Sequence, residues 1–281
     1  MTQRPETTAE QPSLLAVFAH PDDESLASGG LLAWCAATGI RTSLLCLTHG
    51  EHGGDTSSGS LAAVRAQELR DAAGVLGIAD ITLLTHQDGM LPWADAERLE
   101  RDIRDAIDRA AADVVITFDE DGLYWHPDHV AVHERTTSAV LSGTEPRPAL
   151  YYVTLPTGSM RSVVDHAATL AAAEGPTAAP ATHILGIADP DAFGACVPAP
   201  TLVVDAGAFA PQKLLALHCH RSQLPEHDAL TRITTATAPR LLGIEHYRRA
   251  GTGPMPDTFL DRLAPGADQR NARSSVPEPP I

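Results

Sequence analysis

The strongest constraint on what this chain can fold into is the regular alternation of two hydrophobic periods along its first half. Apolar β-type runs near residues 13–19, 41–48, 81–85 and 113–118 are separated by amphipathic stretches near 28–38, 60–77 and 95–112, and a further one follows at 127–141. Strands joined by helices of this length pair in parallel, because a parallel partner needs a crossover of about a dozen residues or more. The runs are apolar at successive positions, the pattern of strands buried on both faces. In the stretch 60–77, Leu61, Val64, Leu69 and Leu76 interleave with Arg65, Glu68 and Arg70, and Gly77 supplies a C-terminal stop. Right-handed crossovers then predict an α/β, doubly wound, mostly parallel sheet flanked by helices, with core order 3-2-1-4 as such sheets are wound.

The pattern weakens after residue 150. Residues 149–155 and 201–205 read as strands, 211–223 as a helix, and the Ala/Pro/Gly stretch 168–181 as a loop. Residues 1–12 and the tail 264–281 carry no periodicity and are predicted to be disordered, which leaves one domain over 13–263 with a variable C-terminal part. A length of 281 residues suits that single domain.

Charge narrows the partners. Thirty-six acidic residues against 20 basic ones give a net charge of −16, the wrong sign for tracking phosphates, so neither nucleic acid nor an anionic membrane is an expected partner. The longest apolar runs fall far short of the roughly 20 residues that span a bilayer. Residues 1–12 are polar and include Glu6 and Glu10 where a signal peptide has a basic start and an apolar core, so a cytoplasmic protein is expected. Four cysteines form no CxxC pair and read as reduced thiols. His218-Cys219-His220 is not a metal motif, because three consecutive residues of a helical pattern cannot all face one ion. Self-association stays open.

The chemistry is concentrated in two segments, Ala19-His20-Pro21-Asp22-Asp23-Glu24 after the first predicted strand and His126-Pro127-Asp128-His129 after the fourth. In the order 3-2-1-4 these strand ends are neighbours, and the crevice between them is where doubly wound sheets bind ligands. Imidazoles and carboxylates without a thiolate suit a borderline metal such as zinc, whose catalytic sites take three protein ligands and keep one position for water. Two histidines and one aspartate suffice, and the surplus carboxylate is free to act as a base. Pro21 and Pro127 fix the turns that aim these side chains, and Pro127 suits the first position of a helix. His133 lies one turn beyond His129 on the same predicted face, so spacing leaves either as the ligand. Glu24 fits either a support for a ligand or a helix N-terminal charge.

The two motifs in this order resemble the zinc-dependent N-acetylglucosaminyl-phosphatidylinositol deacetylase family, also called LmbE-like, which includes the deacetylase and the conjugate amidase of mycothiol metabolism. Thr48-His49-Gly50-Glu51, Arg65, Glu68, Asp88-Gly89, Lys213, His220, Ser222-Gln223 and Glu245 extend the likeness over most of the chain. The resemblance implies a Rossmann-like deacetylase with zinc held by His20, Asp23 and His129, and with Asp22 as the general base. It further implies His126 polarising the carbonyl or protonating the leaving amine, Tyr124 helping with the oxyanion, and Arg65 and Asp88 contacting the sugar. Read without it, Arg65 is a helix-surface salt bridge and Asp88 an Asp-Gly turn, while His220 is structural or supports a neighbour. The reaction so implied removes an N-acyl group, foremost N-acetyl, from a small amino-sugar conjugate, with zinc and His126 holding the oxyanion.

His52, the stretch 53–60 and residues 156–200 depart from the family pattern and leave the substrate open. Trp93 and Trp125 fall in loops at the motif edge, where they serve as sugar platforms or as caps on a core. Alternatives are an amidase acting on a thiol conjugate or natural product, and an inactive binding protein on the same fold. A further rival is a non-haem iron oxygenase, since His20-Pro21-Asp22 with a distant His also spells a two-His-one-carboxylate triad, although on a β fold that this chain does not predict.

Overall fold

The first strand is the axis of the molecule. In the computed structural model, which describes residues 11–53, 60–175, 181–194, 199–251 and 257–263, every residue of β1 (Ser13–Phe18) is buried. It pairs in parallel with β2 (Arg41–Thr48) on one side and β4 (Val114–Phe118) on the other, Ala16 lying between Leu44 and Ile116. β3 (Asp80–His86) extends the sheet beyond β2, and β5 (Ala149–Thr154) lies parallel to β4. Apolar side chains fill both faces, as the continuous apolar runs require. The expected core order 3-2-1-4 is thus present. The whole sheet reads β3-β2-β1-β4-β5-β7-β6, because β7 (Ile244–Arg249) turns antiparallel to both β5 and β6 (Leu202–Asp205). The polar sequence of β7 concealed it: Glu245 and Tyr247 are buried, and its arginines sit only partly so.

Helices cover the sheet: α1 (Asp23–Ala37), α2 (Leu61–Leu76), α3 (Ala96–Ala110), α4 (Gly122–Trp125), α5 (Pro127–Leu141), α6 (Ser159–Glu174), α7 (Ala210–Leu217) and α8 (Ala238–Leu242). Three differ from expectation. α1 starts at Asp23 and not near residue 28, so the first motif forms its opening turn. α6 runs through the first part of the stretch expected to be a loop, its alanines favouring helix until Gly175 ends it. The predicted helix 211–223 also ends early, at Leu217, before a 3-10 turn at Arg221–Gln223. Residues 1–10 and 264–281, expected to be disordered, lie outside the described residues. Among the described residues no helix is long and apolar enough to cross a membrane.

A kink in α1 at Ser28 (φ −142°, ψ 16°) interrupts the helical ladder. The amides of Gly30 and Leu31 donate instead to the Glu245 carboxylate at 2.8 and 2.9 Å. The same carboxylate accepts Lys213 Nζ at 2.7 Å and the Tyr247 hydroxyl at 2.9 Å, and Lys213 and Glu245 are both buried. Gly30 is required here, since a Cβ would stand 2.6 Å from that of Ala206. One carboxylate therefore fastens α1, α7 and β7 together beneath the motif. Glu245→Ala, which strands the Lys213 ammonium and two amides, is expected to cost about 3–5 kcal/mol in urea unfolding. The pair Glu245→Gln with Lys213→Met is expected to cost less than Glu245→Ala alone.

Candidate active site

Both motifs meet where β1 and β4 end. His126 caps α5, its Nδ1 accepting the Asp128 amide at 3.2 Å, and Pro127 occupies the first helical turn. The accepting Nδ1 leaves the ring proton on Nε2, and burial together with the nearby His20 lowers the His126 pKa, which favours the neutral ring. His129, one turn on, stacks flat on Phe118 with ring centroids 4.0 Å apart. Its Nδ1 lies 3.0 Å from the Gly122 carbonyl, which fixes the proton there and turns the bare Nε2 inward.

That inward nitrogen faces His20 Nδ1 at 3.1 Å. The other His20 nitrogen, Nε2, lies 3.1 Å from Asp88 Oδ1 and 3.2 Å from Asp128 Oδ2, two carboxylates that hold a proton on it. Two lone pairs therefore point at each other unless a proton or a cation lies between them. Burial opposes charge on His20, yet Asp128, Asp23 and Asp88 keep its pKa well above the usual value; burial and the neighbouring imidazoles push His129 down to about 3. Asp23 completes a triangle, Oδ1 at 3.3 Å from His129 Nε2 and Oδ2 at 3.6 Å from His20 Nδ1. Ligands at about 2.0–2.1 Å from a tetrahedral ion stand about 3.3 Å apart; the two imidazole nitrogens meet that spacing, Asp23 approaches each of them through a different oxygen, and the donor types suit zinc. Although burial opposes it, the two imidazoles hold the Asp23 pKa near about 2, ready as an anionic ligand. His126 also brings a ring nitrogen within 4.8 Å of those of His20 and His129.

Asp22 stands outside that triangle. It caps α1 at φ 117°, a conformation rarely adopted by a residue with a side chain, and its amide is held by Glu24 Oε2 at 3.0 Å. Glu24 is in turn bound by His220 Nε2 at 2.8 Å and by the Ser25 hydroxyl. Asp22 Oδ2 accepts from Arg65 at 3.1 Å, and Arg65 also donates to the carbonyls of Gly50 and Pro21. Gly50 must be glycine, because a Cβ would lie 2.4 Å from the guanidinium. Burial outweighs Arg65 and, with Asp23 and Glu24 beside it, lifts the Asp22 pKa to about 7.

The structure thus brings together His20, Asp22, Asp23, Tyr124, His126 and His129, and it places Arg65 and Asp88 against them. Arg65 is buried and is no surface salt bridge. Asp88 is more than a turn residue, since it holds His20 and accepts the His52 amide at 2.8 Å. The Tyr124 ring centroid is 5.8 Å from that of His126, and burial keeps its phenol protonated. His133, the alternative to His129, is spent on the Phe118 carbonyl at 2.9 Å. Trp93 and Trp125 are exposed, and neither is among the described residues lining the cleft. Sequence reasoning missed Asp128, which is fully buried and takes the Gly89 and Leu91 amides besides His20. It left Glu24 and His220 undecided. An acid between two motif histidines was the available signal for the first, and nothing local announced the pair. A cleft of about 530 Å³ opens above these groups.

Sheet order, switch-point cleft and converging His/Asp clusters define a Rossmann-like α/β protein with a candidate metal centre. Residues 15–140 match the family model described as PIG-L, GlcNAc-PI de-N-acetylase. The 1D-myo-inositol 2-acetamido-2-deoxy-alpha-D-glucopyranoside deacetylase of Acidothermus cellulolyticus is 31% identical, the alignment covering 91% of this chain and 95% of that one. The chain belongs to this deacetylase family. Two solved structures share the fold. N,N'-diacetylchitobiose deacetylase from Pyrococcus horikoshii superposes with TM-score 0.61 at 19% identity, covering 86% of this chain and 85% of its own. The 4-carboxy-2-hydroxymuconate hydratase of Pseudomonas putida superposes with TM-score 0.59 at 17% identity, covering 88% and 100%.

The geometry separates the two candidate histidines. In equilibrium dialysis against zinc, His129→Ala is expected to lose stoichiometric binding, while His133→Ala keeps it. The opposite outcome would move the ligand one turn along α5.

Proposed function

We propose that this protein is a zinc-dependent hydrolase that removes an N-acyl group, foremost acetyl, from the amino sugar of a small glycoconjugate. The observation that carries the reading is a buried carboxylate, Asp22, set beside a complete His20, Asp23 and His129 donor set without belonging to it. A binding protein needs no such spare base. Zinc at that donor set supplies Lewis acidity toward water and the amide carbonyl.

The chain's own groups do the rest. Asp22, its pKa near about 7, accepts the proton of the attacking water and can return it to the departing nitrogen. The proton on His126 Nε2 and the Tyr124 hydroxyl are donors for the oxyanion, a role that needs no reorganisation in a site already built. Asp128 and Asp88 orient His20, while Arg65 fixes Asp22 and leaves its remaining oxygen for the substrate. Asp23 is preferred to His126 as the third ligand because its two oxygens approach the two inward nitrogens at 3.3 and 3.6 Å and it supplies an anion. The relative named as acting on an acetamido-glucopyranoside supports the sugar; the hydratase on the same fold shows that the fold alone does not choose the reaction. The proposed setting is the cytoplasm, supported by the thiols of Cys35, Cys46 and Cys219, which form no disulfide among the described residues.

Metal analysis alongside amine release from N-acetylated amino sugars tests these roles. Asp22→Asn is expected to keep its zinc while turnover falls by roughly 10²–10⁴. His126→Ala is expected to keep zinc as well, whereas Asp23→Ala loses affinity first and recovers part of its activity in excess zinc. Lost zinc in Asp22→Asn with normal zinc in Asp23→Ala would reverse the assignment.

A further inference from the structure

One wall of the cleft comes from residues 181–194, within the stretch where the family pattern fails. Ile184 and Ile187 exchange backbone hydrogen bonds at 3.0 and 2.9 Å, leaving Leu185 and Gly186 as a two-residue tip. Both have positive φ, 47° and 81°, the conformation of a tight turn whose first position favours Asn, Asp or Gly. A leucine there is strained, and the fold holds it: the Thr182 amide donates to the His227 carbonyl at 3.1 Å and the Ala229 amide to the His183 carbonyl at 2.8 Å. Strain kept at the lip of a cleft is a mark of function.

The tip and the residues around it offer apolar surface to the cleft, Leu185 and Ile187 half-buried and Phe193 almost wholly buried behind them. Leu185, Ile187 and Phe193 line the same cleft as His20 and Asp22, with Pro225 beside them. Phe193 is fixed by its contact with Tyr124, centroids 4.9 Å apart, and by the Gly194 amide, which donates to the Leu123 carbonyl at 2.9 Å. None of these four side chains can donate or accept a hydrogen bond. A polyol seated against them would lose its water without replacement, whereas a hydrocarbon group would gain by burial.

We propose that Leu185, Ile187 and Phe193 form a subsite for an apolar aglycone, so that the substrate is an N-acetylated amino sugar carrying an alkyl or aryl group and not a polyol. This rests on the deacetylase reading and names its substrate class.

The test compares amine release by the zinc-loaded protein from the methyl, octyl, phenyl and inositol glycosides of N-acetylglucosamine, the octyl compound kept below its micellar concentration. Calorimetric binding of the same compounds is measured in parallel. Values of kcat/KM for the octyl or phenyl glycoside should exceed those for the methyl and inositol glycosides by roughly tenfold or more. Leu185→Gly should bring that ratio toward one while cooperative unfolding is retained, because glycine adopts φ 47° without strain. Ile187→Ser should shift the ratio the same way. Octyl against phenyl distinguishes a chain from a ring. A wild-type ratio at or below one, or a ratio unmoved by both variants, overturns the subsite. If no glycoside releases amine, the deacetylase reading fails and binding decides the subsite: equal affinity for octyl and methyl compounds overturns it.

Discussion

Two imidazole nitrogens held 3.1 Å apart in a buried crevice dictate much of what surrounds them. Their outer nitrogens are committed, His129 to a carbonyl and His20 to two carboxylates, so the inner lone pairs must share a positive charge. Asp23 supplies the anion that such a charge calls for. Asp128 is the least replaceable of the supports, since one buried carboxylate orients His20 and also ties the loop at Gly89 and Leu91 to the start of α5.

The crevice concentrates carboxylates, and their mutual repulsion has to be managed by position. Asp23, flanked by imidazoles, stays ionised. Asp22, one residue away, is lifted toward neutrality by burial, with Arg65 and His220 opposing. Adjacent residues acquire opposite proton affinities because the positive φ at Asp22 turns their side chains to different neighbours. That backbone conformation is unfavourable by itself and is held by Glu24, which His220 secures from the far side of the chain. The kink in α1 at Ser28 and the Glu245 carboxylate behind it brace the same helix from below.

The sheet itself is permissive. A hydratase and a deacetylase share its architecture with this chain, so chemistry resides in the groups at the β1 and β4 ends and in the segments that wall the cleft. Those walls come from residues 181–194 and 222–225, supplied by the part of the chain whose periodicity is weakest.

Sequence alone determined the alternation of strands and helices, the core order 3-2-1-4, and the meeting of His20-Pro21-Asp22-Asp23 with His126-Pro127-Asp128-His129. The alternation follows from local periodicity, which a single chain carries in full, and the order and the meeting follow once that alternation is wound as the doubly wound sheet of order 3-2-1-4. Sequence could not separate His129 from His133, because residues four apart share a helix face; the height of α5 above β4 put one into the crevice and the other onto the Phe118 carbonyl. Nor could it pair Glu24 with His220 or Glu245 with Gly30, partners separated by 196 and 215 positions. It also hid β7, whose charged residues mask a strand paired on both sides, Glu245 being satisfied by Lys213 and Arg248 by Asp119. Those decisions belong to tertiary structure, since a buried charge reveals its purpose only through the partner that folding brings to it.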